Sequence, residues 1–265
     1  MRIALLIQYD GTDFNGWQVQ PDKPTIQGSI EAALQMVFDA PIGILGSGRT
    51  DSGVHAFGQV AHFDVASSSI PPEKVWMKLN RHLPRSIRLM GSQKVDDDFH
   101  SRFNANQRSY RYEIDRVQNI LHRNSRWYVR FPLDLEILNE SAGLILGAHD
   151  FSSFCYAGTE TENMICKVHS AHWRELDEGA LVFEVRADRF LHHMVRMLVG
   201  TMVEVARGKW DMDYFKRLLA EPDRRNHAMT APPEGLSLMK VGYPQGMLAD
   251  WADENEKIAN QVLDD

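Results

Sequence analysis

The chain of 265 residues is poor in cysteine and contains no long apolar run. Its two cysteines, Cys155 and Cys166, lack the C-x-x-C spacing of zinc sites and redox motifs, so we expect neither a disulfide framework nor a metal site. No stretch approaches the roughly 20 apolar residues that span a bilayer, and the run Ile3–Ile7 is too short for the apolar core of a signal peptide. These absences predict a protein of the reducing cytoplasm with no membrane segment.

Acidic residues outnumber basic ones, 36 to 29, and the formal net charge of −7 at first argues against a nucleic-acid partner. The charge is unevenly distributed, however. Residues 250–265 carry six acidic residues and one lysine, whereas residues 81–130 carry eleven Arg or Lys and five acidic residues. Because steering depends on local potential, this basic zone is compatible with phosphate binding, and composition alone leaves a solvated basic surface equally open.

The spacing of apolar residues predicts two halves with the order β-α-β-β-α-β. In the first half we expect strands at 2–10, 41–45, 59–65 and 86–95 and helices at 25–38 and 72–83. In the second half we expect strands at 109–115, 168–176, 180–188 and 235–243 and helices at 134–147, 189–206 and 212–221, with a turn at 177–179.

This order predicts an α/β (α+β) fold in which two ferredoxin-like halves join mainly antiparallel sheets around a central cleft. We place the first half at residues 1–104 and the second at 105–245. Residues 246–265 form an acidic tail whose composition permits disorder.

Four glycines surround Arg49, Thr50 and Asp51 in the stretch LGSGRTDSGVHAFGQVAHF, residues 45–63. Glycine tolerates positive φ and lets another backbone or a ligand approach closely. The loop is therefore either a tight turn or a place where the Asp51 carboxylate is presented to a ligand. A single Asp does not decide between these interpretations, because Asx turns are common in such loops.

A second stretch, YDGTDFNGW at residues 9–17, resembles the D-x-D-G-T start of haloacid-dehalogenase-type phosphatases, whose first Asp attacks phosphorus. Gln8 occupies that position here and cannot act as the nucleophile. The sequence therefore disfavours a phosphatase, and Asp10 with Gly11 is interpreted first as a turn.

The predicted helix at 189–206 has a core stripe of apolar residues at helical spacing. We expect its methionines to pack in the core and a basic stripe to lie on the opposite side. His192 and His193 are adjacent, which makes a shared metal from one helix face unfavourable. The basic stripe consists of Arg189, His192, His193 and Arg196.

Six motifs in family order together resemble the tRNA pseudouridine synthase A (TruA) family. They are YDGTDFNGWQ (9–18), GRTDSGVHA (48–56), DDFHSRFNA (97–105), RSYRY (108–112), RFLHHMVRMLVG (189–200) and EGLSL (234–238). The resemblance implies an isomerase that breaks the N1–C1′ bond of a tRNA uridine and joins C5 to C1′, at positions 38, 39 and 40 of the anticodon stem-loop. It also implies that the target base flips out of its stack and that one tRNA spans both subunits of a homodimer. No metal or redox cofactor is implied.

The resemblance also assigns roles to single residues. Asp51 matches the catalytic aspartate, described as the nucleophile, and Arg196 matches the arginine that pairs with it. A nearby cation favours the ionised form of a buried carboxylate, which gives this pair a physical reason. Tyr110 matches the tyrosine that stacks on the target base and can help remove the C5 proton, whereas Tyr112 on the same strand face is interpreted as core.

Further matches concern substrate binding. Arg49 matches the arginine that occupies the space left by the flipped base, and Leu236 matches an apolar pocket wall. A catalytically silent RNA-binding protein of the same fold is the alternative, but the presence of the three catalytic matches favours an enzyme. The segment expected to contact RNA through phosphates and rings contains Phe99, His100, Arg102 and Phe103.

Overall fold

The computed structural model describes residues 1–176, 179–225 and 228–248, and the chain divides into two compact units. Of the described residues, the first unit comprises 1–106 and 237–248, and the second comprises those within 107–236. Two parts of the sequence prediction, the turn residues 177–178 and the acidic tail from residue 249 on, lie outside the described residues. None of the helices in the described ranges is long and apolar enough to cross a bilayer.

The first unit is built on an antiparallel arrangement of strands with two helices. In chain order its elements are β1 (Arg2–Tyr9), α1 (Ile26–Phe38), β2 (Leu45–Gly46), β3 (His55–Asp64), α2 (Val75–Leu79) and β4 (Ile87–Val95). Strand β1 lies between β3 and β4 and pairs antiparallel with both. Its run Ile3–Ile7 is buried throughout because a central strand is covered on both faces. The predicted order β-α-β-β-α-β is confirmed for this unit.

Helix α1 follows its sequence signals closely. Thr25 caps the helix, and its side-chain oxygen accepts a hydrogen bond from Gly28 N at 3.3 Å. The helix ends at Asp39, which adopts a left-handed conformation with φ of 52°. The predicted apolar face is buried through Ile26, Ile30 and Leu34.

Two other elements of the first unit differ from the prediction. Of the strand expected at 41–45, only Leu45 pairs, in the two-residue β2. The helix expected at 72–83 is a 3-10 turn followed by α2, which ends at Leu79. The next residue, Asn80, ends the helix because its side chain bonds the backbone N–H and C=O of Leu89 on β4, at 2.9 and 2.8 Å.

The second unit also contains mainly antiparallel strands. Its elements are β5 (Gln107–Asp115), β6 (Trp127–Tyr128), α3 (Leu135–Leu144), β7 (Gly147–Asp150), β8 (Ile165–Glu175), β9 (Leu181–Ala187), α4 (Met194–Ala206) and α5 (Met212–Ala220). The strands β5, β9, β8 and β7 pair antiparallel in that order, and β6 runs parallel beside β5. The mixed, mainly antiparallel α/β class is confirmed. Strands β6 and β7 were not predicted, because two and four residues are too short to show an alternation.

Helix α4 corrects one sequence prediction. It begins at Met194 rather than at residue 189, and the preceding His193 is left-handed with φ of 67°. A left-handed residue interrupts a helical path, so the expected basic stripe is wrong: of its members only Arg196 lies on the helix. Every residue from Met197 to Ala206 is buried, which confirms the core role of the methionines and makes α4 a central helix of the unit.

The last strand, β10 (Leu236–Gly242), pairs in parallel with β3 of the first unit. Ser237 lies opposite His55, and Leu238 lies opposite Ala56. The second half is expected from the sequence to reach residue 245, whereas the described residues 237–248 belong to the first unit.

Candidate active site

The loop of residues 47–54, which joins β2 to β3, carries Asp51 and is tied to β3 at its start. Ser47 N donates to Val60 O at 2.8 Å. The fully buried Gln59 accepts from Ser47 Oγ at 2.5 Å and donates its amide to Gly48 O at 3.0 Å. One buried glutamine therefore fixes the first two residues of the glycine-rich loop.

Thr50, the residue before Asp51, is held by the last residue of β1 and by the segment that follows this strand. Tyr9 Oη and Thr50 Oγ1 are 2.8 Å apart and hydrogen-bonded, and Trp17 N donates to Thr50 O at 3.1 Å. Burial raises the pKa of Tyr9 to about 12, so its hydroxyl keeps its proton at neutral pH. The side chain and the carbonyl of Thr50 are thus both fixed immediately before Asp51.

Two glycines let the segment 9–17 approach this loop. A methyl group added at Gly11 would lie 2.0 Å from Val54 O, and one added at Gly16 would lie 2.6 Å from Thr50 O. Gly16 also has a φ of 82°, which L side chains rarely adopt. Close backbone contact therefore explains why this segment carries glycine at both positions.

Asp51 itself lies in a turn that is bonded on both sides. Val54 N donates to Asp51 O at 3.2 Å, and Gly53 within the turn has a φ of 79°. Gly53 N and Ser52 Oγ both donate to Phe14 O, at 3.3 and 3.1 Å. The Asp51 side chain is half-buried. Although residues 47–54 include two glycines, Gly48 and Gly53, the loop presents Asp51 from a fixed backbone.

Asp10, a carboxylate of the segment 9–17, has a structural role. Its Oδ1 accepts from Thr12 N at 3.0 Å and from Thr12 Oγ1 at 2.6 Å, and it lies 3.2 Å from His55 Nδ1. Burial opposes ionisation, but the bonds from Thr12 and the nearby His55 outweigh it and hold the pKa of Asp10 below its usual value. The interpretation of Asp10 as a turn residue is confirmed, and Asp51 remains the candidate nucleophile.

Arg49, two residues before Asp51, is exposed. The hydrogen bonds of Gly48 O and Thr50 O fix the backbone on either side of it. Its guanidinium is therefore carried by an anchored backbone, and its contact with RNA stays a prediction.

The two tyrosines of β5 in the second unit have different surroundings. Tyr110 is half-buried, lies opposite Val185 of β9, and meets the ring of Phe190 edge-on at a centroid distance of 5.2 Å. Tyr112 on the same strand face is fully buried, which confirms its assignment to the core. Of the two rings, only that of Tyr110 has exposed surface on which a base can stack.

Arg196 lies in the first turn of α4 and, unlike its helical neighbours, is half-exposed. Its Nε donates to Ala231 O at 2.9 Å, and Ala231 N donates to Arg196 O at 3.0 Å. This reciprocal contact was not predicted from the sequence. The only local signal is the rigid Pro-Pro pair, residues 232–233, which follows Ala231 directly and precedes the EGLSL motif.

The segment expected to contact RNA divides into a buried and an exposed part. Phe99 is 2 % exposed and packs against Tyr243 at a centroid distance of 5.4 Å, and its contact with RNA stays a prediction. Phe103 is 76 % exposed. Its ring lies 4.3 Å from that of His100, and the Arg102 guanidinium lies 5.8 Å from its centre.

The electrostatics of His100 favour a neutral ring. Its Nδ1 accepts hydrogen bonds from the backbone N–H groups of Arg102 and Phe103, at 3.1 and 3.4 Å. Burial and the nearby Arg2 lower the pKa of His100. The segment therefore offers an aromatic pair, the exposed Phe103 and the half-buried His100, next to Arg102.

Leu236, the expected pocket wall, is 5 % exposed at the first position of β10. Its backbone N donates to Pro233 O at 3.0 Å. The described contacts place it among the buried apolar residues, and its contact with a base stays a prediction.

Known proteins with similar sequences agree with this arrangement of motifs. A family model described as tRNA pseudouridine synthase matches residues 5–104 and 142–244. Proteins named tRNA pseudouridine synthase A from Brevibacillus brevis, Bacillus pumilus and Bacteroides fragilis are 43 %, 41 % and 40 % identical to the chain. These alignments cover 91 %, 92 % and 92 % of this chain and 99 %, 99 % and 97 % of the relatives.

The chain therefore belongs to the tRNA pseudouridine synthase family. Its reaction class is the isomerisation of uridine in tRNA, and the resemblance drawn from the sequence motifs is confirmed.

Proposed function

We propose that this chain converts uridine to pseudouridine at positions 38, 39 and 40 of the tRNA anticodon stem-loop. The observation that carries the proposal is the Asp51 loop, which is bonded to β3 through Gln59 and to the segment 9–17 through Thr50. A fixed backbone gives the carboxylate a defined position, and positioning is what a reaction without a cofactor requires from its enzyme.

In the proposed reaction Asp51 is the nucleophile. The N1–C1′ bond of the target uridine breaks, the base turns, and C5 bonds to C1′. The proton leaves C5 and N1 takes up a proton, so that the product is an isomer of uridine. Arg196 is proposed to keep the Asp51 carboxylate ionised during this sequence, because an adjacent cation favours the charged form. Tyr110 is proposed to stack on the base, which is supported by its partial exposure and its edge-on contact with Phe190.

Arg102 and Phe103 are proposed to hold the tRNA beside the reacting nucleotide, and Arg49 to fill the space that the flipped base leaves. An exposed ring next to an arginine fits an unpaired nucleotide, because the ring stacks on a base and the guanidinium binds a phosphate. Leu236 is proposed to contribute an apolar wall to the uracil pocket.

We also propose that the protein acts as a homodimer in the cytoplasm, as the resemblance implies. Burial raises the pKa of both thiols, that of Cys166 to about 12, which suits a protein that keeps its cysteines reduced. Light scattering of the purified protein at several concentrations tests the dimer, since a mass of one 30.3 kDa chain at every concentration contradicts it.

Mapping of pseudouridine on a synthetic tRNA tests the proposed positions. Unmodified transcripts with uridine at 38, 39 or 40 alone, and cytidine at the other two, are incubated with the protein. Each is expected to gain one pseudouridine at its single uridine, and a transcript with three cytidines is expected to gain none. Modification elsewhere contradicts the assigned positions, and tight binding without any pseudouridine favours the silent RNA-binding alternative.

A further inference from the structure

Residues 229–235 of the second unit, MTAPPEG, form a segment that lies between α4 and β5, and we call it the strap. Its contact with α4 is the reciprocal pair of hydrogen bonds between Ala231 and Arg196, of 2.9 and 3.0 Å. Ala231 is fully buried whereas Arg196 is half-exposed, so this contact is partly shielded from water. Because the guanidinium is planar and its Nε is bonded, the direction of the Arg196 head group follows the position of the Ala231 carbonyl.

Helix α4 is adapted to the strap one turn after Arg196. A methyl group added at Gly200 would lie 2.3 Å from Met229 O and 2.8 Å from Ala231 N. The strap backbone therefore rests directly on the helix backbone. Any side chain at position 200 would displace the strap together with the carbonyl that holds Arg196.

On its other side the strap is attached to β5 through Tyr112. The Tyr112 hydroxyl donates to Pro232 O at 2.8 Å, and Glu113 N donates to Gly235 O at 2.9 Å. Gly235 lies so close to the Tyr112 ring that an added methyl would approach it to 2.6 Å. Burial raises the pKa of Tyr112 well above its usual value, so the hydroxyl donates this bond throughout the physiological range.

We propose that Tyr112 is a positioning residue for Arg196. Its hydroxyl fixes the carbonyl of Pro232, and the adjacent Ala231 presents its own carbonyl to Arg196 Nε. A tyrosine of the core thereby sets the direction of the arginine that the proposed mechanism uses. This inference rests on the proposed catalytic role of Arg196. The hydrogen bond from Arg196 Nε to Ala231 O can nevertheless be measured separately from activity.

Tyr112→Phe tests the proposal because it removes only the hydroxyl oxygen. We expect single-turnover formation of pseudouridine to slow by about 3- to 10-fold, as loss of one hydrogen bond implies, with an unchanged KM for tRNA. Thr201→Val is the matched control, since it removes a buried hydroxyl from α4 that bonds Met197 O at 2.7 Å and not the strap. This control is expected to leave the rate unchanged.

A double-mutant cycle separates positioning from general stability. In an Arg196→Met background the Tyr112→Phe change is expected to cause no further loss of rate, because the group it orients is gone. Independent losses that multiply in the double variant overturn the proposal. Gly200→Ala displaces the strap from the side of α4, and we expect it to lower the rate as Tyr112→Phe does. If Tyr112→Phe does not fold, Gly200→Ala is used in its place.

Hydrogen exchange of the Arg196 Nε proton reports on its bond to Ala231 O and does not depend on enzymatic activity. The proton is followed by NMR, and its signal is assigned by its absence in Arg196→Lys. Exchange is expected to accelerate in Tyr112→Phe and to stay slow in Thr201→Val. Unchanged exchange in both Tyr112→Phe and Gly200→Ala overturns the proposal. If wild-type protein makes no pseudouridine, the proposed function fails, while the exchange result still decides whether Tyr112 holds Arg196.

Discussion

Replacement of Gly16 by alanine should reduce activity by moving the residue next to Asp51. The added methyl would lie 2.6 Å from Thr50 O, and Cβ atoms essentially never approach closer than 3.0 Å. The two backbones must therefore separate by at least about 0.4 Å. The φ of 82° adds a strain of about 1–2 kcal/mol for an L residue.

A shift of this size is large for a catalytic group, since a displacement of about 1 Å costs about 100-fold in rate. We expect Gly16→Ala to lower the single-turnover rate by about 10- to 100-fold and to lower the free energy of unfolding by about 1–2 kcal/mol. The assays are pseudouridine formation at saturating enzyme and urea denaturation followed by circular dichroism.

Gly48→Ala is the matched control within the loop of residues 47–54 that carries Asp51. Nothing lies within 4 Å of a methyl group added there, and its φ is not in the left-handed region. We expect a wild-type rate and an unchanged or slightly higher stability. A wild-type rate for Gly16→Ala, or equal losses in the two variants, would refute the argument that segment 9–17 positions Asp51.

Three further predictions concern other parts of the molecule. Arg102→Ala should weaken tRNA binding and reduce the slope of log affinity against log salt by about one unit, whereas an unchanged slope removes Arg102 from the interface. Arg196→Lys should retain more activity than Arg196→Met, because lysine keeps the charge but not the planar guanidinium; equal rates by single-turnover assay would contradict this. Burial lowers the pKa of His62 to about 4 from 6.5, so its stabilising contribution is complete above pH 6.5 and is lost as the pH falls towards 4. Urea midpoints over this range should therefore fall more steeply in wild type than in His62→Gln, and parallel curves would refute the assignment.

Regular elements with a complete set of local signals could be predicted from the sequence. Helix α1 carries an N-cap, Thr25, and an apolar face at helical spacing, and β1 is a continuous apolar run. Helix α4 was placed too early because Arg189, Phe190 and Leu191 continue its pattern into residues that are not helical. His193 has a φ of 67°, and the helical spacing of apolar residues carries no signal for such a left-handed residue.

At the candidate site, too, local sequence patterns predict only part of the structure. Asp51 and Tyr110 were found through motifs, because short spacing within one motif is visible in a sequence. The bonds that fix Thr50 come from Tyr9 and Trp17, more than thirty residues away, and the Ala231 contact to Arg196 spans a similar distance. Such contacts depend on the fold, so periodicity and composition carry no signal for them.

The central claim, that Asp51 carries out the isomerisation of tRNA uridine, is tested most directly with tRNA tritiated at uracil C5. Formation of pseudouridine releases this tritium to water, so release measures the reaction itself. Wild-type protein is expected to release tritium in proportion to the pseudouridine formed, whereas Asp51→Asn should bind the tRNA with wild-type affinity and release none. Multiple turnovers by a verified Asp51→Asn protein, or no release by the wild type, would contradict the claim.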